Sequence, residues 1–231
     1  MRYENIHKGT FIKRPNRFVA LVEIGGKEEL VHVKNTGRCS EILTKGCTVY
    51  LNRQNGENRK TKYDLVAAEK VRRNLSPLLI NIDSQIPNYA VEEWLKNSGL
   101  FSEEAIIKRE VTYGNSRFDF YIEDKGEKIF LEVKGVTQEH DGVAMFPDAP
   151  TLRGVKHLKE LTVCIADGYK AFVLFVIQMN EIKKFTPNDV IHKDFGDALR
   201  SASNAGVKLI AMDCDVTPDS MKIRNEVPIE L

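Results

Sequence analysis

Apolar and polar residues alternate with a period of two through much of the first 75 positions, the spacing of strands buried on one face. Arg17 to Ile24, RFVALVEI, predicts a strand; Gly25-Gly26 is a two-residue hairpin turn, and Glu28 to Val33 returns. Asn35-Thr36-Gly37-Arg38 is a loop by composition, Gly46 to Leu51 a strand, Asn52 to Lys60 a basic turn and Tyr63 to Glu69 a further strand. Short strands with long basic turns suit an OB-like β-barrel over residues 1–75, ending at a boundary near Asn74 to Pro77.

The pattern changes over residues 76–231. Leu78 to Ile82 is an apolar strand, and Pro87 to Leu95 is a helix with proline in its first turn and Val91, Trp94 and Leu95 facing inward. Glu104 to Tyr113 predicts a strand. Two more, joined at Asp124-Lys125-Gly126-Glu127, fill Asn115 to Gly135. Val136 to Pro150 reads as a long irregular loop, and Thr151 as the N-cap of a helix buried through Leu152, Val155, Leu158, Leu161 and Ile165. Ala171 to Gln178 is apolar throughout, as in a strand buried on both faces; Thr186 to Asp189 breaks the chain. A helix from Phe195 to Asn204, a strand from Lys208 to Met212 and an edge strand after Asp215 complete the order. The fold class is α/β (α+β), with a restriction-endonuclease-like mixed sheet flanked by helices after the barrel.

Strand alternation places the chemistry. In Leu131-Glu132-Val133-Lys134 the carboxylate and the ammonium share one face, while Leu131 and Val133 enter the core. On the preceding strand Arg117 and Asp119 share a face opposite Phe118 and Phe120, and antiparallel pairing brings Asp119 toward Glu132. Asp, twelve residues, then Glu-x-Lys is the loose form of the PD-(D/E)xK nuclease signature. Asp119 and Glu132 offer oxygen ligands to Mg²⁺ or Mn²⁺, and Lys134 can assist an attacking water. Glu-x-Lys by itself also occurs in any amphipathic strand, as a solvated pair contributing about 0 to 1 kcal/mol. Accessory candidates are Glu92 on the preceding helix, Arg117, and Arg153 with His157, four apart on the later helix.

The net charge of +1 conceals a polarity. Residues 1–75 hold 16 Lys and Arg against 8 Asp and Glu, a balance of +8, and the remainder a balance of −7. A basic module suits a polyanion, whose counterions it releases. Arg14, Arg17, Lys34, Arg38, Arg53, Arg59 and Lys60 are the expected DNA backbone contacts, with Phe18 or Tyr63 as stacking rings. Apolar runs are too short to cross a bilayer and no leader precedes the first strand, so a cytoplasmic protein without membrane association is expected. Cys39, Cys47, Cys164 and Cys214 form no C-x-x-C pair, and buried free thiols are expected.

Longer motifs run nearly from end to end: Arg14-Pro15-Asn16-Arg17-Phe18, Asn35-Thr36-Gly37, Pro87-Asn88, Tyr113 to Phe120, Glu132 to Thr137, Phe146 to Thr151, and Arg153-Gly154 with His157-Leu158. In these the chain resembles the sugar fermentation stimulation protein A family, departing from it at Arg38, where a small residue is usual. The resemblance implies an OB-like domain before a PD-(D/E)xK nuclease-like domain. It also implies a DNA-binding protein of little sequence preference, associated in bacteria with the regulation of sugar (maltose) metabolism. Three readings stay open: a non-catalytic DNA-binding regulator, a Mg²⁺- or Mn²⁺-dependent DNA nuclease using Asp119, Glu132 and Lys134, and an inert scaffold for protein contacts. Single- and double-stranded DNA are both admissible partners, and a homodimer facing a duplex would suit a nuclease-like fold.

Overall fold

The computed structural model describes residues 1–35, 37–56 and 59–231. Thr36 of the Asn-Thr-Gly loop, and Glu57 and Asn58 of the basic turn, lie outside the described residues. β1 (Ile6–Asn16), β2 (Val19–Ile24), β3 (Lys27–Val33), β4 (Thr48–Arg53) and β5 (Tyr63–Lys70) form one sheet in the order β3-β2-β1-β4-β5. A parallel pairing of β3 with β5, at His32↔Asp64 and Val33↔Leu65, closes it into the OB barrel. Gly25 and Gly26 both take positive φ, 59° and 78°, as the hairpin between β2 and β3 requires. Sequence alternation misses β1, because along its eleven residues only Gly9 and Phe11 are buried.

β6 (Leu78–Asn81) extends the barrel sheet by pairing with β5, although it follows the expected boundary in sequence. α1 (Ile86–Asn97) buries Ile86, Ala90, Val91 and Leu95, and leaves Trp94 only partly covered. The second sheet holds β7 (Ile106–Tyr113), β8 (Ser116–Asp124), β9 (Glu127–Val136), β12 (Lys170–Ile177), β14 (Lys208–Thr217) and β15 (Ser220–Glu226), in the order β15-β14-β12-β9-β8-β7. β9, β12 and β14 run parallel in its centre, and antiparallel strands flank them. α1 covers one face with Phe120, Leu131 and Val133 beneath it. α2 (Leu152–Ala166) and α3 (Asp189–Asn204) cover the other, over Phe118, Phe130, Val173 and Phe175. The edge strand expected after Asp215 is β15.

Two stretches differ from the sequence reading. Val136 to Pro150 is not irregular: β10 (Gln138–His140) and β11 (Val143–Phe146) form a hairpin over Asp141-Gly142, and β11 pairs in parallel with β13 (Lys184–Pro187). Strands of three and four residues are too short for alternation to reveal, but the Asp-Gly turn was a signal. α3 starts at Asp189 rather than Phe195, capped by Asn188, with a non-helical residue at His192 (φ −154°, ψ 86°) that separates its first turn from the regular helix. All four cysteines are buried free thiols, and burial pushes the Cys39 and Cys164 thiols up to about 12. Among the described residues, no helix is long and apolar enough to cross a membrane.

Candidate functional site

The site lies where β8 and β9 part. Their pairing runs from the turn at Asp124↔Glu127 to Phe120↔Leu131, where the register stops. In place of the next ladder bond, Val133 donates its N–H to Asp119 Oδ2 at 2.8 Å, and Asp119 Oδ1 accepts from Asn88 Nδ2 of α1 at 2.8 Å. The strand turns over at this point. Phe120 packs in the core under α1, while Phe118 packs in the opposite core against Phe130 and His157, with ring centroids 5.3 and 5.8 Å apart. Simple alternation put both phenylalanines on one face. Across the ladder, Arg109↔Phe120 and Val111↔Phe118 bracket Glu110, which therefore faces Asp119 and holds φ at 55°, in the left-handed region.

Glu132 and Lys134 do share a face, as alternation requires, but it is a covered one. Glu132 is 4% exposed because α2 lies over it. Its Oε1 accepts from Lys134 Nζ and from His157 Nδ1, the latter at 2.5 Å. Arg153 Nε donates to His157 Nε2 at 3.3 Å. A guanidinium donates only and a carboxylate accepts, so Nε2 is the ring's acceptor toward Arg153 and Nδ1 its donor to Glu132. Glu132 Oε2 is buried without any hydrogen-bond partner.

The two carboxyls are shifted in opposite directions. Burial raises that of Asp119, and the charge of Glu132 raises it further. Burial also pushes Glu132 up, but the Lys134 charge and the His157 hydrogen bond outweigh it and hold Glu132 below the ordinary range. A buried carboxylate oxygen lacking a donor, beside a second carboxyl resisting ionisation, fits a hard cation that takes one or two carboxylates and fills its remaining positions with water and phosphate. His157 contributes no free lone pair to such an ion. Among the described residues no cluster of three or more His, Cys, Asp or Glu is arranged around a metal position.

The packing around the pair is close. A side chain on Gly135 would meet Gln178 Oε1 at 2.6 Å and Pro87 Cγ at 2.9 Å, so only glycine lets the first turn of α1 approach β9 here. Gln178 Nε2 donates to the carbonyls of Asn81 and Asp83 at 2.9 and 3.1 Å. The buried Asp83 is paired with Lys34 at 2.7 Å, and Asn35 Nδ2 donates to the Ile82 carbonyl at 3.0 Å. The barrel is thereby fastened to the segment that launches α1.

The remaining candidates separate. Arg153 donates to His157 and is an exposed residue. Glu92 does not contact Asp119: Arg109 and Lys96 hold it at 2.9 and 3.0 Å, and these bonds, led by that from Lys96, keep its carboxyl below the usual range. Arg117 pairs with Glu110 at 3.5 Å. Asn88, named in a motif but given no role by sequence reasoning, is the α1 residue that reaches Asp119. On the barrel, Arg14 donates to the carbonyls of Arg17, Asn35, Gly37 and Arg38 at 2.6–2.7 Å, which binds the loop together and turns its donors inward. Lys34 is taken by Asp83 and Arg59 pairs with the buried Asp64. Arg17, Arg38, Arg53 and Lys60 are exposed, and the Arg17 guanidinium lies 4.8 Å over the exposed Phe18 ring. Tyr63 is partly buried against His7, edge to face at 5.4 Å.

Comparison with known proteins agrees over the whole length. A family model described as "SfsA N-terminal OB domain" matches residues 12–75, and one described as "Sugar fermentation stimulation protein RE domain" matches residues 85–220. The sugar fermentation stimulation protein homolog of Desulfitobacterium hafniense (strain DSM 10664 / DCB-2) is 55% identical over 231 residues, covering 100% of this chain and 99% of the relative. That of Clostridium beijerinckii is 52% identical, with 100% of both covered. A solved structure, of Pyrococcus furiosus SfsA in complex with Ca²⁺, is similar with a TM-score of 0.87 and 30% identity, covering 100% of this chain and 98% of that one. The chain belongs to the sugar fermentation stimulation protein (SfsA) family.

Proposed function

We propose that the protein binds DNA with little sequence preference and hydrolyses its phosphodiesters at a Mg²⁺- or Mn²⁺-dependent site built on Asp119, Glu132 and Lys134. The observation that carries this reading is the unpaired, buried Oε2 of Glu132 beside Asp119: a carboxylate oxygen kept from water and from donors is stabilised by a cation. The Ca²⁺ bound by the Pyrococcus furiosus relative supports it, since Ca²⁺ and Mg²⁺ both seek oxygen ligands. The bound ion would supply Lewis acidity toward a phosphate oxygen and lower the pKa of a bound water. The chain's own groups do the rest. Asp119 and Glu132 hold the ion, and His157 fixes Glu132 through its Nδ1–H. Lys134 lends positive charge to the oxyanion developing on phosphorus, and the open side of Arg153 meets a neighbouring phosphate. Arg17, Arg38, Arg53 and Lys60 on the barrel supply salt-dependent backbone contacts.

The test is incubation with labelled single- and double-stranded DNA at low salt, with Mg²⁺, Mn²⁺ or chelator, reading binding and cleavage in the same samples. Metal-dependent cleavage is expected, abolished in Glu132→Ala and Lys134→Ala with binding retained. Intact DNA bound in every lane would leave a binding protein with a nuclease-like fold and refute the hydrolytic half of the reading.

A further inference from the structure

We propose that Tyr89 and Arg109 form a stacking platform for one nucleobase, next to Asp119; this rests on the DNA-directed reading above and specifies the strand it takes. Tyr89 is 48% exposed on a helix whose neighbouring Ile86, Ala90 and Val91 are buried, so packing of α1 does not account for an aromatic ring there. The ring is nonetheless held. The Arg109 guanidinium carbon lies 4.8 Å from its centroid and 5.9 Å from that of Phe120. Arg109 is itself anchored by Glu92 at 2.9 Å. One face of Tyr89 is thus covered by a fixed cation, and its exposed surface is left for a flat π ligand.

The position singles out the ligand. Tyr89 follows Asn88, whose side chain donates to Asp119, and Arg109 pairs in register with Phe120, the residue after Asp119. From both elements the platform stands one residue from the carboxylate that would hold the cation. A strand that reaches Asp119 from the α1 side, where Asn88 meets it, brings an adjoining base to this ring. The surrounding Asn88, Glu92 and Lys96 make a polar rim rather than the apolar patch a protein partner would need. A paired base has no free face, so the platform selects single-stranded or frayed DNA, and stacking there tolerates any base.

The experiment measures binding of a labelled oligothymidylate and of a blunt duplex in Ca²⁺, with DNA integrity checked on the same samples. Wild type is compared with Tyr89→Ala, Tyr89→Phe and Tyr89→Trp, each checked for an unchanged melting temperature. The expected result is about 10-fold weaker single-strand binding by Tyr89→Ala, little change for the duplex, and recovery in the two aromatic variants. If wild type binds the oligonucleotide and Tyr89→Ala binds it equally well, the platform is overturned and the DNA-directed reading stands. If wild type binds neither DNA, both are overturned.

Discussion

Glu132 is held by two contacts that leave one of its oxygens open. Lys134 and His157 both donate to Oε1, Arg153 fixes the tautomer of His157 from behind, and Oε2 is left bare in a buried site. Ligand orientation set by such an outer contact typically contributes 10- to 100-fold in metal affinity. His157→Ala is expected to weaken Mn²⁺ binding by at least about 10-fold, and His157→Asn, which keeps an N–H donor, to recover part of it; titration with Mn²⁺ alongside a melting curve checks both. An unchanged affinity in His157→Ala would show that the ring merely fills space. Period-two alternation was enough to put Glu132 and Lys134 on one face, and four-residue helix spacing to put Arg153 and His157 together. The target of His157 was not legible. Helix spacing states which side chains travel together, but which strand residue they meet depends on how α2 lies across the sheet.

The fork between β8 and β9 is where an element departs from its pattern to serve the site. Ending the ladder at Phe120↔Leu131 lets the Asp119 carboxylate take the Val133 N–H and sends Phe118 and Phe120 to opposite cores. The accompanying turn in β7 falls on Glu110, whose positive φ is costly for any residue but glycine and most costly for a β-branched one. Glu110→Val, favourable by strand propensity, is expected to destabilise by about 1 to 2 kcal/mol, whereas Glu110→Gly is neutral or stabilising by up to about 1 kcal/mol. Urea unfolding of the two variants checks this, and a valine variant as stable as wild type would contradict the strained geometry. Alternation could not foresee the fork, because Glu110 and Asp119 look like ordinary strand residues and the irregularity arises between strands. β10, β11 and the first turn of α3 were missed for a different reason: each is about one repeat long, too short for a period to register.

At the scale of the molecule, two domains with opposite charge are fastened by polar contacts, two of them to buried carboxylates. Lys70 of the barrel reaches the buried Glu139 of β10 at 2.7 Å, Lys34 reaches Asp83, and the N-terminal amine of Met1 pairs with Glu93 of α1 at 2.7 Å. Burial pushes the Glu139 carboxyl up, but the bonds from Lys70 and the Gly142 N–H outweigh it and hold it below the ordinary 4.5. A depressed carboxyl contributes stability above its unfolded pKa and loses it as pH falls through the folded one. Glu139→Gln is therefore expected to be less stable than wild type at neutral pH, with the difference shrinking below about pH 4.5; melting curves across pH check it, and a constant difference would contradict it. Glu139→Ala, which strands Lys70, is expected to cost about 3 kcal/mol. The order of barrel and mixed sheet was readable from the strand and helix pattern and the charge polarity from composition, but these ties were not, since each joins residues far apart in the chain. They matter because they set the barrel against α1, whose Asn88 steadies Asp119.

The account turns on whether Asp119 and Glu132 hold a cation. Calorimetric titration of Mn²⁺ into wild type, Asp119→Asn and Glu132→Gln measures this without DNA. A single binding event in wild type, lost or at least about 10-fold weaker in both variants, is the predicted result. Equal Mn²⁺ binding in all three proteins, or none in wild type, would contradict it.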